Sequence, residues 1–248
     1  MRRRMWGICI AAFALLAVLG CSCAGFSVPI GAPRGSGEAG QEVRSMSGVR
    51  EVELTSWGNL TVELGEQEEL RIEADKNLLR YIETEVRGDT LTIRHRRGMG
   101  LRPRQPIEYY LTVKTLDSLL VSGAGNVSLP KLETEQFDVQ ISGAGSIDIE
   151  DLQADKLNVR INGAGDLEVQ SGEVNGQDIS ISGAGDYRAR DLDSDTAQVS
   201  LSGLGSATLR VREHLDVHMT GAGSVRYLGR PTVEKHVTGL GSVEAIGE

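Results

Sequence analysis

Five arginines close together are the side chains of this sequence best suited to hold a ligand. Arg94, Arg96, Arg97, Arg102 and Arg104 form the one basic cluster in a chain of 248 residues whose formal net charge is −9. Glycines and prolines at positions 98, 100, 103 and 106 predict that this segment is a loop. Guanidinium groups pair with anions, so the loop could grip an anionic glycan or a lipid headgroup. An ordinary solvated loop is the interpretation that we favour from the sequence alone.

Two histidines, His218 and His236, are the candidate metal ligands. They lie 18 residues apart, which is one period of the repeat described below, and Asp216 and Glu234 lie two residues before them. Side chains ~4.8 Å apart on neighbouring strands could share a zinc or copper ion. The alternative is an exposed histidine stack with acidic neighbours. We adopt the alternative and predict no metal and no cofactor.

No arrangement typical of a catalytic centre stands out in the sequence. The Gly-x-Gly motifs lack the third glycine, the following helix and the acidic partner of a dinucleotide-binding unit. Asp166 and Asp186 follow two of these motifs, but calcium-binding β-rolls use a nonapeptide repeat, and other copies here carry Ser or Asn. These polar positions are interpreted as a solvated ladder, and the protein is predicted not to be an enzyme.

The glycines reveal the architecture, because fourteen of the 31 fall in seven copies of one motif. Successive copies are 20, 20, 20, 20, 18 and 18 residues apart. Paired glycines suit a sharp bend, since they reach positive φ and permit close backbone approach. The pairs are Gly123 and Gly125, Gly143 and Gly145, Gly163 and Gly165, Gly183 and Gly185, Gly203 and Gly205, Gly221 and Gly223, and Gly239 and Gly241.

Apolar residues alternate on both sides of every motif, in phase from copy to copy. Around the third copy, Leu157, Val159 and Ile161 come before the glycines, and Leu167 and Val169 come after them. A period of two is typical of half-buried strands, and a register fixed between copies is what stacked coils require. We predict an all-β, single-stranded, β-helix-like solenoid with ~20-residue coils marked by Ser-Gly-Ala-Gly corners. A propeller would need a repeat of about 40 residues.

The predicted solenoid domain covers residues 48–248. Residues 48–115 alternate like strands but lack the glycine motif, so they are assigned to atypical N-terminal coils that cap the stack. Residues 116–248 are the regular repeats. Lys235 takes an apolar position of the last coil, which predicts a polar end.

The first 47 residues predict export and attachment to a membrane. Residues 1–20 combine three arginines with a short apolar run, as in a signal peptide. The end of this run, Val18-Leu19-Gly20-Cys21, resembles the lipobox of bacterial lipoproteins, which implies that Cys21 is lipidated. Residues 21–47 are rich in Gly, Ser and Pro without periodicity, and they predict a flexible tether.

The expected partners follow from this anchor and from the charge. The lipid would hold the protein on the outer membrane or on the outer face of the plasma membrane. The chain has 35 Asp and Glu against 26 Lys and Arg, which argues against nucleic acid as a partner. A surface glycan or a protein is the expected ligand, and the oligomeric state stays open.

Two patterns carry a resemblance to a known bacterial family. One is the glycine motif, and the other is the opening series Val52-x-Leu54, Gly58-x-Leu60-x-Val62 and Leu70-x-Ile72-x-Ala74-Asp75-x-Asn77. Together they resemble the head GIN domain family of auto-transporter adhesins. This resemblance implies a right-handed β-helix-like fold in exported or surface-attached proteins, and it transfers no site residue.

We therefore predict a non-catalytic lipoprotein of the cell envelope that acts as an adhesin-like or structural binding module. The alternative is a carbohydrate-active enzyme acting on envelope or extracellular polysaccharide, because β-helices host such activities as well.

Overall fold

The computed structural model describes residues 32–97 and 99–247, and these residues form an all-β solenoid. This confirms the predicted fold class. Within the described residues the one helix is a short 3₁₀ turn, Leu79–Tyr81, and no helix is long and apolar enough to cross a membrane. The predicted signal peptide and Cys21, the predicted lipidation site, lie outside the described residues. The strands are β1 (Ala39–Ser45), β2 (Glu51–Leu54), β3 (Asn59–Leu64), β4 (Glu69–Asp75), β5 (Ile82–Arg87), β6 (Thr90–His95), β7 (Glu108–Val113), β8 (Ser118–Val121), β9 (Asn126–Leu129), β10 (Leu132–Ile141), β11 (Ile147–Ile149), β12 (Leu152–Ile161), β13 (Leu167–Val169), β14 (Gly172–Ile181), β15 (Asp186–Ala189), β16 (Leu192–Leu201), β17 (Ser206–Arg210), β18 (His214–Met219), β19 (Ser224–Leu228), β20 (Thr232–Val237) and β21 (Ser242–Gly247).

Each regular coil contributes one strand to each of two sheets. The first sheet has ten strands in the order β20-β18-β16-β14-β12-β10-β8-β2-β6-β5, and the second has eleven in the order β1-β4-β7-β3-β9-β11-β13-β15-β17-β19-β21. Regular coils stack in parallel, so that Ile141 pairs with Ile161 and Ile161 with Ile181. Alternate side chains of both sheets are fully buried between them. Burial of each large aliphatic side chain contributes about 1.5–3 kcal/mol, and this shared core holds the coils in register.

Close backbone approach is the reason for glycine at the corners between the sheets. Ala164 N–H donates to the carbonyl of Gly143 at 3.1 Å, and Ala184 N–H donates to that of Gly163 at 3.0 Å. A Cβ on Gly163 would overlap the carbonyl oxygen of Gly143 and would lie 3.0 Å from its carbonyl carbon. Positive φ, the other reason inferred from the sequence, occurs at Gly239 alone among the fourteen corner glycines.

The polar residues beside the glycines form hydrogen-bonded ladders along the stack, as predicted. Ser146 Oγ donates to Asn126 Oδ1 at 2.8 Å, and Ser206 Oγ donates to Asp186 Oδ1 at 2.8 Å. The Asp166 carboxylate accepts the backbone N–H of Asp186 at 2.9 Å. Both aspartates considered as calcium ligands therefore take part in the ladder.

One polar pair interrupts the apolar interior. Gln177 takes the inward position that Leu157 and Ala197 hold in the neighbouring coils. The hydroxyl of Tyr187, from the opposite sheet, donates to Gln177 Oε1 at 2.5 Å. Burial raises the pKa of Tyr187, so the hydroxyl keeps its proton and remains a donor.

The N-terminal end is closed by antiparallel strands. In the first sheet β5 pairs with β6, and in the second sheet β4 pairs with β7 and β1 with β4. The prediction of a tether through residue 47 is therefore wrong for residues 34–45. These residues are held in place because Asp75 accepts a hydrogen bond from Gly37 N at 2.6 Å, while Asn77 Oδ1 accepts one from Ser36 N at 2.8 Å.

The C-terminal end is the open edge of both sheets, since β20 and β21 each pair on one side only. Lys235 lies in register with Val217 of the preceding coil and is exposed. A charge at an inward position of an edge strand opposes the addition of another strand.

Candidate functional site

The candidate site is an expanded corner near the N-terminal end of the solenoid. Leu54 pairs with Val121 on one side and with Ile93 on the other, while Asn59 pairs with Asn126 and with Glu108. Residues 55–58 therefore align with the regular corner 122–125 and, on the opposite side, with residues 94–107. Between these strand pairs one coil has four residues, 55–58, and its neighbour has fourteen, 94–107. We call this longer, arginine-rich segment the expanded corner.

Residues 55–58 are a corner that the sequence analysis missed. Ser56 occupies the position that corresponds to Gly123, and Trp57 the position that corresponds to Ala124. A Cβ on Gly123 would overlap the carbonyl oxygen of Ser56, just as a Cβ on a regular corner glycine would overlap the carbonyl oxygen of the coil before it. The signal was present in Thr55-x-x-Gly58-Asn59, which matches Ser122-x-x-Gly125-Asn126 at three similar positions. Ser56 can carry a side chain because no tight corner packs against its other side.

A groove of about 590 Å³ lies beside residues 55–57 and the start of the arginine-rich segment, and it extends along β2, β5 and β6 through Glu53, Glu85 and Thr92. Ser56, Trp57 and His95 form part of its lining together with Arg94, Arg96 and Arg97. The indole of Trp57 meets the imidazole of His95 edge to face, with ring centroids 4.8 Å apart and an interplanar angle of 73°. Volumes of about 300–1,000 Å³ are typical of sites for small ligands.

Four arginines line the groove: Arg87 pairs with Glu85 at 2.8 Å, and the other three differ in their partners. Arg94 Nε lies 3.3 Å from Glu83 Oε2, and Arg96 Nε lies 3.2 Å from Glu83 Oε1. The hydrogen bond from Arg96, assisted by Arg94, holds the pKa of Glu83 below its ordinary value, so this carboxylate stays charged and fixes both guanidinium groups. Arg97 is exposed and has no carboxylate partner within the part of the chain that the structure describes. Its guanidinium is available to an anion.

Arg102 and Arg104 lie apart from this groove, although the sequence placed all five arginines in one site. The backbone of Arg102 forms a bridge with Arg34, and Arg104 N donates to Asp75 Oδ2 at 2.7 Å. Burial would raise the pKa of Asp75, but hydrogen bonds from the backbone N–H groups of Arg104, Gln105 and Gly37 outweigh it and lower the pKa. The structure thus brings together three of the five predicted residues, and the other two belong to a clasp around Asp75.

One buried polar atom beside the groove, His95 Nε2, has no hydrogen-bond partner among the described residues, and the buried Ser56 hydroxyl lies against that of Tyr109. Ser56 is 5% exposed. Burial lowers the pKa of His95 to about 4, so its imidazole is neutral near pH 7. An unpaired buried polar group costs about 1–3 kcal/mol, which a ligand could recover by bonding to it.

The structure stacks His218 and His236 as the repeat predicts, with ring centroids 4.9 Å apart. Asp216 Oδ1 lies 3.3 Å from His218 Nδ1. No group of three or more His, Cys, Asp and Glu side chains that could hold a metal ion occurs within residues 32–97 and 99–247.

Comparison with known proteins places the chain in a family. The model of the family described as "Putative auto-transporter adhesin, head GIN domain" matches residues 49–231. The chain belongs to this family. A search of curated proteins gave no match.

Solved structures similar to this GIN-domain chain share its fold. A "putative adhesin" from Bacteroides fragilis is 24% identical, with a TM-score of 0.80 over 86% of this chain and 99% of that one. A "putative adhesin" from Parabacteroides merdae is 20% identical, with a TM-score of 0.70 over 86% and 98%. A "Putative lipid binding protein" from Parabacteroides distasonis is 21% identical, with a TM-score of 0.69 over 86% and 98%. At these identities the likeness establishes the fold alone.

Proposed function

We propose that this protein is a lipid-anchored, non-catalytic binding module of the bacterial cell envelope. The observation that carries the proposal is the expanded corner, which replaces a tight glycine turn by a groove with an exposed arginine. Membership of an adhesin family supports a binding role at the cell surface. The ligand is an anionic surface glycan or an acidic protein segment, because Arg97 offers an unpaired guanidinium group in an otherwise acidic chain.

The anchor at Cys21 would hold the groove near the membrane. Only residues 22–33 separate Cys21 from Arg34, where the described N-terminal segment bridges to Arg102. Twelve residues reach at most about 43 Å when fully extended. This is shorter than the tether predicted from the sequence, because residues 34–45 belong to the folded domain. Polymers of the envelope are therefore within reach of the groove.

The proposal is tested by producing the full-length protein in bacterial cells and measuring attachment to glycan- and protein-coated surfaces. A variant with Arg94→Gln, Arg96→Gln and Arg97→Gln should lose attachment while keeping its thermal stability within a few degrees. The matched control replaces Arg50, Arg188 and Arg212 by Gln, three arginines that lie outside the groove. Equal attachment by both variants would contradict binding through the groove.

Lipidation has a separate test. Cys21→Ala should move the protein from the membrane fraction to the soluble exported fraction and remove the mass of the acyl chains. An unchanged distribution would contradict the anchor and would leave the groove test unaffected.

A further inference from the structure

The corner glycines of successive coils stack on one another and form a continuous row, the glycine seam. The seam is tightly packed along the regular coils and is interrupted at its N-terminal end. At regular corners each first glycine stacks on the backbone of the coil before it, as Gly163 does on Gly143. Beyond Ser56 this stacking stops, because β6 continues through His95 as the partner of β5 instead of turning a tight corner. The chain returns to register at Ile107, whose carbonyl accepts Asn59 N–H at 2.9 Å. The groove therefore results from the strand pairing at this end of the solenoid.

An aromatic ring lies where the seam is open at its N-terminal end. The middle position of the aligned regular corner is Ala124, and in the open corner it is Trp57. Trp57 is partly buried, and its ring lines the groove beside His95. A half-buried indole offers a flat apolar surface together with one N–H donor.

The other groups of the groove are suited to hydroxyl groups and to one carboxylate. His95 Nε2 has no partner among the described residues, and it can bond to a hydroxyl. Arg97 supplies a guanidinium group that can bind a carboxylate in a bidentate manner. Glu53 and Glu85 also line the groove. Glu85 pairs with Arg87 and Arg94, so Glu53 is the carboxylate that opposes a ligand carrying dense negative charge.

We propose that this groove binds a carboxylated saccharide unit. The apolar face of the sugar ring packs on Trp57, one of its hydroxyl groups bonds to His95, and its carboxylate pairs with Arg97. The carboxylate of Glu53 disfavours polyphosphate and heavily sulfated chains. This assignment rests on the proposed binding function and names its ligand class.

The fluorescence of Trp57 provides a direct test. The chain has two tryptophans, and the other, Trp6, lies in the predicted signal peptide. Full-length processed protein is titrated with oligogalacturonate and with sialyl-lactose, and the neutral controls are methyl-esterified oligogalacturonate and lactose. We expect a saturable change in Trp57 emission with a carboxylated probe and at least tenfold weaker binding of its neutral counterpart.

Two variants and a control locate the site. Arg97→Gln should weaken binding of the carboxylated probe about tenfold while leaving the weak binding of the neutral probe unchanged. His95→Phe keeps an aromatic ring against Trp57 and removes Nε2, so it should keep the fold and weaken the binding of both probes. Arg188→Gln, outside the groove, should change neither.

Three results would overturn the assignment. Inorganic polyphosphate binding as tightly as the carboxylated saccharides would make the groove a general anion site. Saccharide binding that Arg97→Gln and His95→Phe leave unchanged would move the ligand to another surface, and the binding function would stand. No emission or calorimetric response to any carboxylated probe at millimolar concentration would reject the ligand class, and attachment of cells would then decide the wider function.

Discussion

Replacing Gly163 with alanine should destabilise the solenoid, because the added Cβ meets backbone and not a movable side chain. It would overlap the carbonyl oxygen of Gly143 and lie 3.0 Å from the carbonyl carbons of Gly143 and Ser142. The coils must separate locally, which weakens the hydrogen bond from Ala164 N–H to Gly143, worth about 1 kcal/mol. Overpacking adds about 1–3 kcal/mol. The expected loss is about 3 kcal/mol.

Thermal unfolding measured by calorimetry or circular dichroism tests this expectation. For a domain of this size about 3 kcal/mol corresponds to a fall in Tm of roughly 6–12 °C. Gly176→Ala is the matched control, because Gly176 lies in extended β14 and its Cβ would meet only Thr196 Oγ1, at 3.3 Å. That control should change Tm by no more than about 3 °C. Equal melting temperatures for the two variants would refute the account of the corners.

Four further outcomes are expected. The native His95 stays neutral down to its pKa of about 4, whereas in the unfolded chain it takes up a proton below about pH 6.5, so the free energy of unfolding should fall between these pH values by on the order of 3 kcal/mol. His95→Gln should remove that pH dependence from melting curves, and a slope that persists in the variant would contradict the assignment to His95. The Asp75 carboxylate has a lowered pKa, so its contribution to the stability of the fold is present above about pH 4 and is lost as the pH falls through the native pKa. Asp75→Asn at pH 7 should speed tryptic cleavage within residues 34–50, and an unchanged cleavage rate would contradict the clasp around Asp75. Gln177→Leu should lower the free energy of unfolding by about 1–3 kcal/mol, because it leaves the hydroxyl of Tyr187 unpaired, and adding Tyr187→Phe should recover most of this loss. A double-mutant cycle that shows no coupling energy between the two positions would contradict the hydrogen bond. Lys235→Val should promote end-to-end association through the exposed edge strands, which sedimentation would detect. Unaltered sedimentation of the variant would show that Lys235 does not prevent pairing at this edge.

The repeat made the regular part of this fold predictable from sequence. Corner glycines recur because each must lie against the backbone of the coil before it, and this requirement fixes both spacing and register. The alternation around Leu157, Val159 and Ile161 then identifies the buried faces, since those positions are fully buried. Local pattern was sufficient where every coil repeats the same contacts.

The N-terminal elements depend on contacts that local pattern does not encode. Strand β1 has the sequence Ala-Gly-Gln-Glu-Val-Arg-Ser, which lacks apolar alternation, and it forms because the edge of β4 is available for pairing. Gly35 looked like a tether residue, yet a Cβ there would run into the buried carboxylate of Asp75. A substitution at Gly35 should therefore disturb the clasp.

The candidate site was predictable only in part for a similar reason. Composition identified the arginines, but only strand pairing shows that residues 94–107 face residues 55–58 as an expanded corner. The division between Arg97 in the groove and Arg104 at Asp75 follows from that pairing. Trp57 was overlooked because its corner retains only the second glycine of the motif.

Hydrogen–deuterium exchange of the full-length protein, with and without oligogalacturonate, tests the central claim most directly. Ligand in the expanded corner should slow exchange in peptides covering residues 54–59 and 93–107 and leave the regular coils 132–228 unchanged. Protection confined to the faces of the two sheets, or no protection at saturating probe, would contradict a binding site at the open end of the glycine seam.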